Sequence, residues 1–369
     1  MTSARDLFEV PGSGPYLLAH SVGCLPVAAR RAIDDSLFAP WSTEGSDGWP
    51  LWLGAVDRFR SALATLLDTR ADLICPQPGV SAALFSLLSG LPRIAGKDVL
   101  LVSRHAFPSI GFAIRQFERF GYRLKLLDGD PAAQSTWHDA IDDRVAAVIA
   151  MHVHSNSGRV SPIADIAARA RKAGAISIVD VAQSAGIIPI DTQSWGVDAL
   201  IGSCVKWLCG GPGAGFLWAT PNLIDRATPA NVGWFSHAEP FAFDIDDFRY
   251  APDARRFWGG TPSIAPYVIA TAGVEMIREI GVPSILAHNR RLIGLFSEAA
   301  GVTIDVAHRG GTLCLTTDDP EGLSYAFASA DVRFDRRDHI IRLSFHIWND
   351  DAQAAQAGMI ARHFAVRLA

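Results

Sequence analysis

Between residues 98 and 182, short runs rich in aliphatic residues alternate with amphipathic stretches, and few architectures accommodate that rhythm. "DVLLVSR" (98–104), "YRLKLLD" (122–128), "RVAAVIAMHVHS" (144–155) and "ISIVDVA" (176–182) read as strands. "SIGFAIRQFERFG" (109–121) and "IADIAARARKAGA" (163–175) have helical periodicity, and each ends in or just before a glycine. A strand with no polar alternation must be covered on both faces. Strands alternating with helices supply that cover, so the pattern predicts an α/β fold with a mainly parallel sheet. In such sheets ligands gather beyond the carboxyl ends of the strands. The texture changes near 220–262, where proline, glycine and aromatic residues predict a long ordered loop region. A helical segment follows over about 263–300. "GTLCLTT", "SYAFASA", "IIRLSFHIW" and "DAQAAQAGMIARHFA" then alternate as a smaller α/β unit. The expected division is an N-terminal arm contributing to the small unit (1–50), a large unit (51–255) and a small C-terminal unit (256–369).

Composition excludes several classes. The basic residues are scattered and the net charge is -5, so nothing resembles a nucleic-acid-binding face. No uncharged apolar run approaches the roughly 20 residues of a membrane-spanning helix. "MTSARDLFEVPGSG" has neither the basic start nor the apolar stretch of a signal peptide. Cys24, Cys75, Cys204, Cys209 and Cys314 are odd in number and irregular in spacing, with no CxxC. A disulfide framework and a metal site are therefore not expected, and the sequence reads as cytoplasmic with reduced thiols.

Two strand ends point to chemistry. "SIVDVAQSAG" (177–186) delivers Asp180 at a carboxyl end, with Gln183 one short turn later. "IGSCVKWLCGGPGAGFLW" (201–218) places Lys206 between an apolar run and a glycine-rich loop. A buried carboxylate needs a cationic partner, and a protonated pyridine nitrogen is one. A lysine in a low-dielectric pocket favours its amine form, which suits a Schiff-base nucleophile. A structural aspartate and a solvated lysine are the alternative for either residue alone. "CPQPGVSAALFSLLSG" (75–90) adds a Pro-Gly turn entering a helix, where the amides of Gly79, Val80 and Ser81 and the Ser81 hydroxyl could hold a phosphate. Together the three features point to pyridoxal 5′-phosphate. "GGPGAG" lacks GxGxxG spacing and leads into "FLW" instead of a capped helix, so a dinucleotide loop is rejected.

From "PYLLAHSVGCLP" (15–26) through "VDVAQSAG", "KWLCGGPGAGFL", "GWFSHAEPF" (233–241) and "ARRFWGGTPS" (254–263) to "IIRLSFHIWND" (340–350), the whole sequence resembles the fold-type I, class V aminotransferase group of pyridoxal-phosphate enzymes, and within it the kynureninase-like branch. The resemblance implies that Lys206 carries the cofactor as a Schiff base, that Asp180 pairs with the pyridine nitrogen, and that Gln183 bonds the phenolic oxygen. It implies that Phe107 stacks on the cofactor ring, with simple core packing as the alternative, and that Ser203 and Trp234 join Ser81 at the phosphate. Thr261 would reach the phosphate of a partner subunit's cofactor, making a homodimer the active unit. Arg342 would grip the α-carboxylate of an amino-acid substrate, a surface salt bridge being the alternative. His20, His154 and Asn156 are candidates for the substrate side, or for structural roles.

The sequence also departs from the branch it resembles. Kynureninases carry Asp at the position of Ile110, His at Gln183 and Tyr at Val205. "ASADVRFDRRDHIIR" holds no cysteine, so the persulfide chemistry of cysteine desulfurases is not expected. The reading is an enzyme that cleaves a C–C or C–S bond in the side group of an α-amino acid, as lyase or hydrolase. A class V aminotransferase or an epimerase is the alternative, and a non-catalytic binding protein of the same fold stands outside both.

Overall fold

A computed structural model describes residues 4–42 and 47–369. Parts of the expected N-terminal arm (1–50) therefore lie outside the described residues. The large sheet has seven strands: β1 (Ile74–Gln77), β2 (Val99–Ser103), β3 (Arg123–Leu127), β4 (Val145–Met151), β5 (Ile176–Asp180), β6 (Ala199–Ser203) and β7 (Gly215–Ala219). Their order across the sheet is β1-β7-β6-β5-β4-β2-β3. Only β7 runs antiparallel to its neighbours; the remaining pairs are parallel. Every residue of β4 and of β5 is buried, as unbroken aliphatic runs require in a sheet covered on both faces. The cover comes from helices such as Ile163–Ala173, whose buried Ile163, Ile166, Ala167 and Ala170 repeat at helical spacing.

β1 and β7 escape the sequence pattern. Pro76 disguises β1, and its place on the sheet edge explains why a residue without an N–H is tolerated there. β7 hides in the apolar tail of the glycine-rich loop. It must pass close beneath the backbone at residue 79. A Cβ at Gly215 would stand 2.9 Å from the Gly79 Cα and 2.7 Å from the Gly202 carbonyl oxygen, so only glycine fits.

A second, four-stranded antiparallel sheet is built from β8 (Thr312–Thr316), β9 (Asp335–Arg337), β10 (Ile340–Ser344) and β11 (Arg367–Leu368), in the order β9-β10-β8-β11. With helices Val282–Ala300, Pro320–Ser329 and Asp351–Arg362 it encloses its own core, including Phe296, Leu313, Phe327, Leu343 and Phe345. The helical segment near 263–300 is two helices, Ala265–Ile280 and Val282–Ala300. The first of these packs Tyr267, Val268, Ala270, Val274 and Ile277 into the large core. Residues 265–280, expected in the small unit, thus pack with the large one. Amphipathic spacing reveals that a helix has a buried face, not which core receives it.

The N-terminal arm joins the two. Leu17 is buried in the small core, and its neighbours bond that unit: the Leu17 amide donates to the Arg333 carbonyl (2.9 Å) and the Ser344 amide donates to the Leu17 carbonyl (2.9 Å). Six residues on, the Gly23 amide donates to the Val205 carbonyl (2.8 Å), and a Cβ there would lie 2.2 Å from the Lys206 carbonyl oxygen. No helix among the described residues is long and apolar enough to cross a membrane.

Burial also sets an acid limit on the fold. His152 and His154 are pushed down to about 4, and His346 to about 3, chiefly by loss of water around the ring. In the unfolded state these rings take a proton near pH 6.5, while the folded ones refuse it until much lower pH. Stability is therefore full above about pH 6.5 and is lost as pH falls from there toward 4, at roughly 1.4 kcal/mol per pH unit for each histidine. Urea midpoints measured across that window should fall accordingly. In His152→Asn the slope should drop by about one histidine's share.

Candidate active site

Asp180 ends β5 and Ser203 ends β6, at the same edge of the sheet. β5 lies between β4 and β6, in register Met151↔Asp180 and Asp180↔Ile201. Beyond this edge opens a cavity of about 430 Å³, within the ~300–1,000 Å³ typical of small-molecule sites. Gly79, Val80, Ser81, Phe107, Asp180, Gln183, Ser203 and Lys206 all line it. Residues predicted separately, from four stretches spread over more than a hundred positions, thus share one wall. Met151, Val153, Ser155 and Ser109 also line it without having been foreseen. The first three follow one another at strand spacing along and just past β4, which is the signal that could have found them.

Lys206 and Asp180 feel each other's charge without forming an ion pair. Burial pushes the Asp180 carboxyl above the ordinary carboxylate range, against the pull of Lys206. Burial likewise lowers the Lys206 amine, against the pull of Asp180, and Arg337 and Arg342 lower it further. Both groups are driven toward their neutral forms, so desolvation outweighs their mutual attraction. One oxygen of Asp180 is held by the Ala182 amide at 2.8 Å.

The helix Val80–Ser89 begins at the cavity with no capping side chain. Its first amides lack intrahelical partners and sit at the positive end of the helix dipole. At Gly79 an added Cβ would meet nothing within 4 Å, so the backbone there faces open space. Gln183 is held at both ends of its amide: Nε2 donates to the His20 carbonyl (3.1 Å), and Oε1 accepts from the Trp207 indole (3.4 Å). One N–H of that amide is left over. Phe107 caps the helix Pro108–Arg115, and its ring lies 5.8 Å from the Lys206 ammonium.

Other expected residues lie elsewhere. Trp234 and Thr261 are outside the cavity and bond each other, indole N–H to hydroxyl, at 3.3 Å. Trp234 thus does not line the cavity that Ser81 and Ser203 share. His154 does not face the substrate side: its ring nitrogens contact Ser161 Oγ (3.0 Å) and the His105 carbonyl (3.4 Å). His20 is buried behind Gln183, with Nδ1 2.8 Å from Ser344 Oγ. Arg342 is fully buried and bidentate, with Nε donating to Asp335 Oδ1 (2.8 Å) and Nη2 to Oδ2. Its Nη1 donates to the Ser155 carbonyl at 3.2 Å. Ile110 is buried core, and Val205 contributes its carbonyl to the arm.

Comparison with known proteins agrees with this geometry. The family model for aminotransferase class-V matches residues 53–300. The sequence is 29% identical over 307 residues to a kynureninase of Pseudomonas fluorescens, covering 80% of this protein and 72% of that one. It is 28% identical over 361 residues to an uncharacterized aminotransferase, YcbU, of Bacillus subtilis (strain 168), covering 96% and 95% of the two proteins. Its fold is shared with the apo cysteine desulfurase of Thermococcus onnurineus NA1 (TM-score 0.85, 18% identity, 98% of each protein). It is shared too with the cystine C–S lyase C-DES in complex with cysteine persulfide (TM-score 0.83, 20% identity, 95% and 97%). The match spans most of the large unit and the helix that bridges to the small one, and with it the Asp180–Lys206 cavity: the protein belongs to the aminotransferase class-V family and is a pyridoxal-phosphate-dependent enzyme.

Proposed function

We propose that the cavity holds pyridoxal 5′-phosphate between Asp180 and Lys206, and that the enzyme cleaves a C–C or C–S bond in the side group of an α-amino acid. The observation that supports this best is the pairing itself. A carboxylate and an amine, each pushed toward neutrality by burial, face one cavity without neutralising each other. A flat cation-bearing ring with an aldehyde satisfies both, and an uncapped helix start at the cavity suits its phosphate. The residues present fit the group.

When bound, the cofactor supplies an electron sink for the bond broken at Cα. Asp180 would stabilise positive charge on the cofactor's ring nitrogen. Ser81, Ser203 and the first amides of Val80–Ser89 would hold its phosphate. Phe107, lining the same cavity, would help to keep water from it. Lys206 Nζ, whose charged form burial disfavours, would anchor the cofactor and, once released, would be placed to move the Cα proton. Carboxylate recognition falls to the cationic edge of the cavity, where Arg337 stands beside the Asp335-bound Arg342.

A homodimer fits the remaining residues. Phe243 is 76% exposed and Ile245 95%, beside Phe241, Trp234 and Thr261. A second copy covering this apolar face would bring Thr261 to the partner's phosphate. A cytoplasmic location fits five free, buried cysteines.

Transamination is the second reading, favoured by the full-length similarity to an aminotransferase. Product analysis separates the two. Catalytic release of a fragment of the side group with ammonia or alanine is expected. Stoichiometric conversion of the bound cofactor to its amine form, with turnover restored only by a keto acid, would overturn cleavage.

A further inference from the structure

Arg342, the arginine expected to meet the substrate, is sealed. No part of it is exposed, and its Nε/Nη2 edge is spent on Asp335. Two residues C-terminal to Asp335 on β9, a second guanidinium stands in the opposite situation. Arg337 is half-buried, and its Nη1 donates to two neutral acceptors, Ser155 Oγ (3.1 Å) and Asn156 Oδ1 (3.0 Å). Among the described residues it has no carboxylate within ion-pair distance. Its guanidinium carbon sits 5.4 Å from the centroid of the Phe107 ring, whose other cationic neighbour is Lys206. Phe107 and Ser155 both line the cavity, so Arg337 stands at its rim.

The local charge is unbalanced. Two guanidiniums, Arg337 and Arg342, face one acid, Asp335, and that acid is committed to Arg342. Burial and those arginines push the nearby His20 ring well below its ordinary range and away from charge. His20 Nε2 is buried without a hydrogen-bond partner, 3.9 Å from Asp335 Oδ2. A half-buried guanidinium with only neutral partners is short of one anion, and a planar fork is the donor best matched to a carboxylate.

We propose that Arg337, not Arg342, receives a carboxylate of the amino-acid substrate, with the Asp335–Arg342 pair serving as the buried clamp that positions it. This rests on the reading of the cavity as a pyridoxal-phosphate site. Asn156 and Ser155 hold the guanidinium in place over Phe107, so that an amino group directed at Lys206 and a carboxylate directed at Arg337 belong to one small molecule.

The test titrates the holoenzyme with L-alanine, L-aspartate and carboxylate-free ethylamine, following the visible spectrum of the bound cofactor. In Arg337→Gln the apparent Kd for the amino acids should rise roughly ten- to a hundredfold, the cost of one charge-assisted contact. Arg337→Lys should recover part of the loss, while ethylamine binding and the melting temperature stay unchanged. Weakening of both amino acids assigns the α-carboxylate; weakening of L-aspartate alone assigns its β-carboxylate. The proposal is overturned if Arg337→Gln binds both amino acids within twofold of wild type, if it weakens ethylamine equally, or if wild type responds to neither amino acid. Failure of the underlying reading looks different: no visible band would form in the wild-type protein at all.

Discussion

On the proposed reading of the cavity, Lys206→Ala should remove the borohydride-sensitive visible absorption of the holoenzyme and lower turnover by about 10⁴-fold or more, since the covalent anchor and the proton carrier would be one nitrogen. The variant should fold. The lysine keeps part of its side chain accessible, its burial disfavours its own charge, and truncation relieves that cost. An unchanged melting temperature with a lost band is the expected pair of readings. A variant that keeps both its absorption and a tenth of its turnover would remove Lys206 from the chemistry.

Asp180→Asn is the second large effect. The substitution preserves shape, and the contact to the Ala182 amide can be kept by the new carbonyl oxygen, but no negative charge faces the cavity. Turnover should fall by about 10²–10³, the range seen when one buried electrostatic contact to a developing charge is deleted. Cofactor should also be held more weakly, measured by equilibrium dialysis. Because burial already drives the Asp180 carboxyl up, removing its charge should leave the apoprotein as stable as wild type, or more so. A marked loss of apoprotein stability would mean that Asp180 is a structural ion and not a partner for the cofactor.

The residues most legible in the sequence are those at the ends of buried strands. Asp180 and Ser203 sit where an aliphatic run meets a turn, and topology brings such points together. Position 79 is readable from its Pro-Gly turn, while the need for glycine at 215 depends on a close approach that no local pattern encodes. Arg337 escapes notice because a strand written "DRR" reads as a solvated face; its lack of an acid depends on Asp335 choosing Arg342. His154 looks available until the fold supplies Ser161 and His105 as its neighbours. Resemblance places Trp234 and Thr261 at a phosphate, and a single subunit leaves them bonded to one another instead.

The N-terminal arm limits how the enzyme can breathe. Leu17 is tied to one body and Gly23 to the other, and six peptide units stretch to no more than about 22 Å. Any hinge opening that admits a substrate must stay inside that leash or break the Gly23–Val205 bond. Since Val205 adjoins Lys206, a pull on the arm is a pull on the reactive amine's own backbone. If Lys206 anchors the cofactor as proposed, entry of a ligand would tug on the backbone beside that anchor.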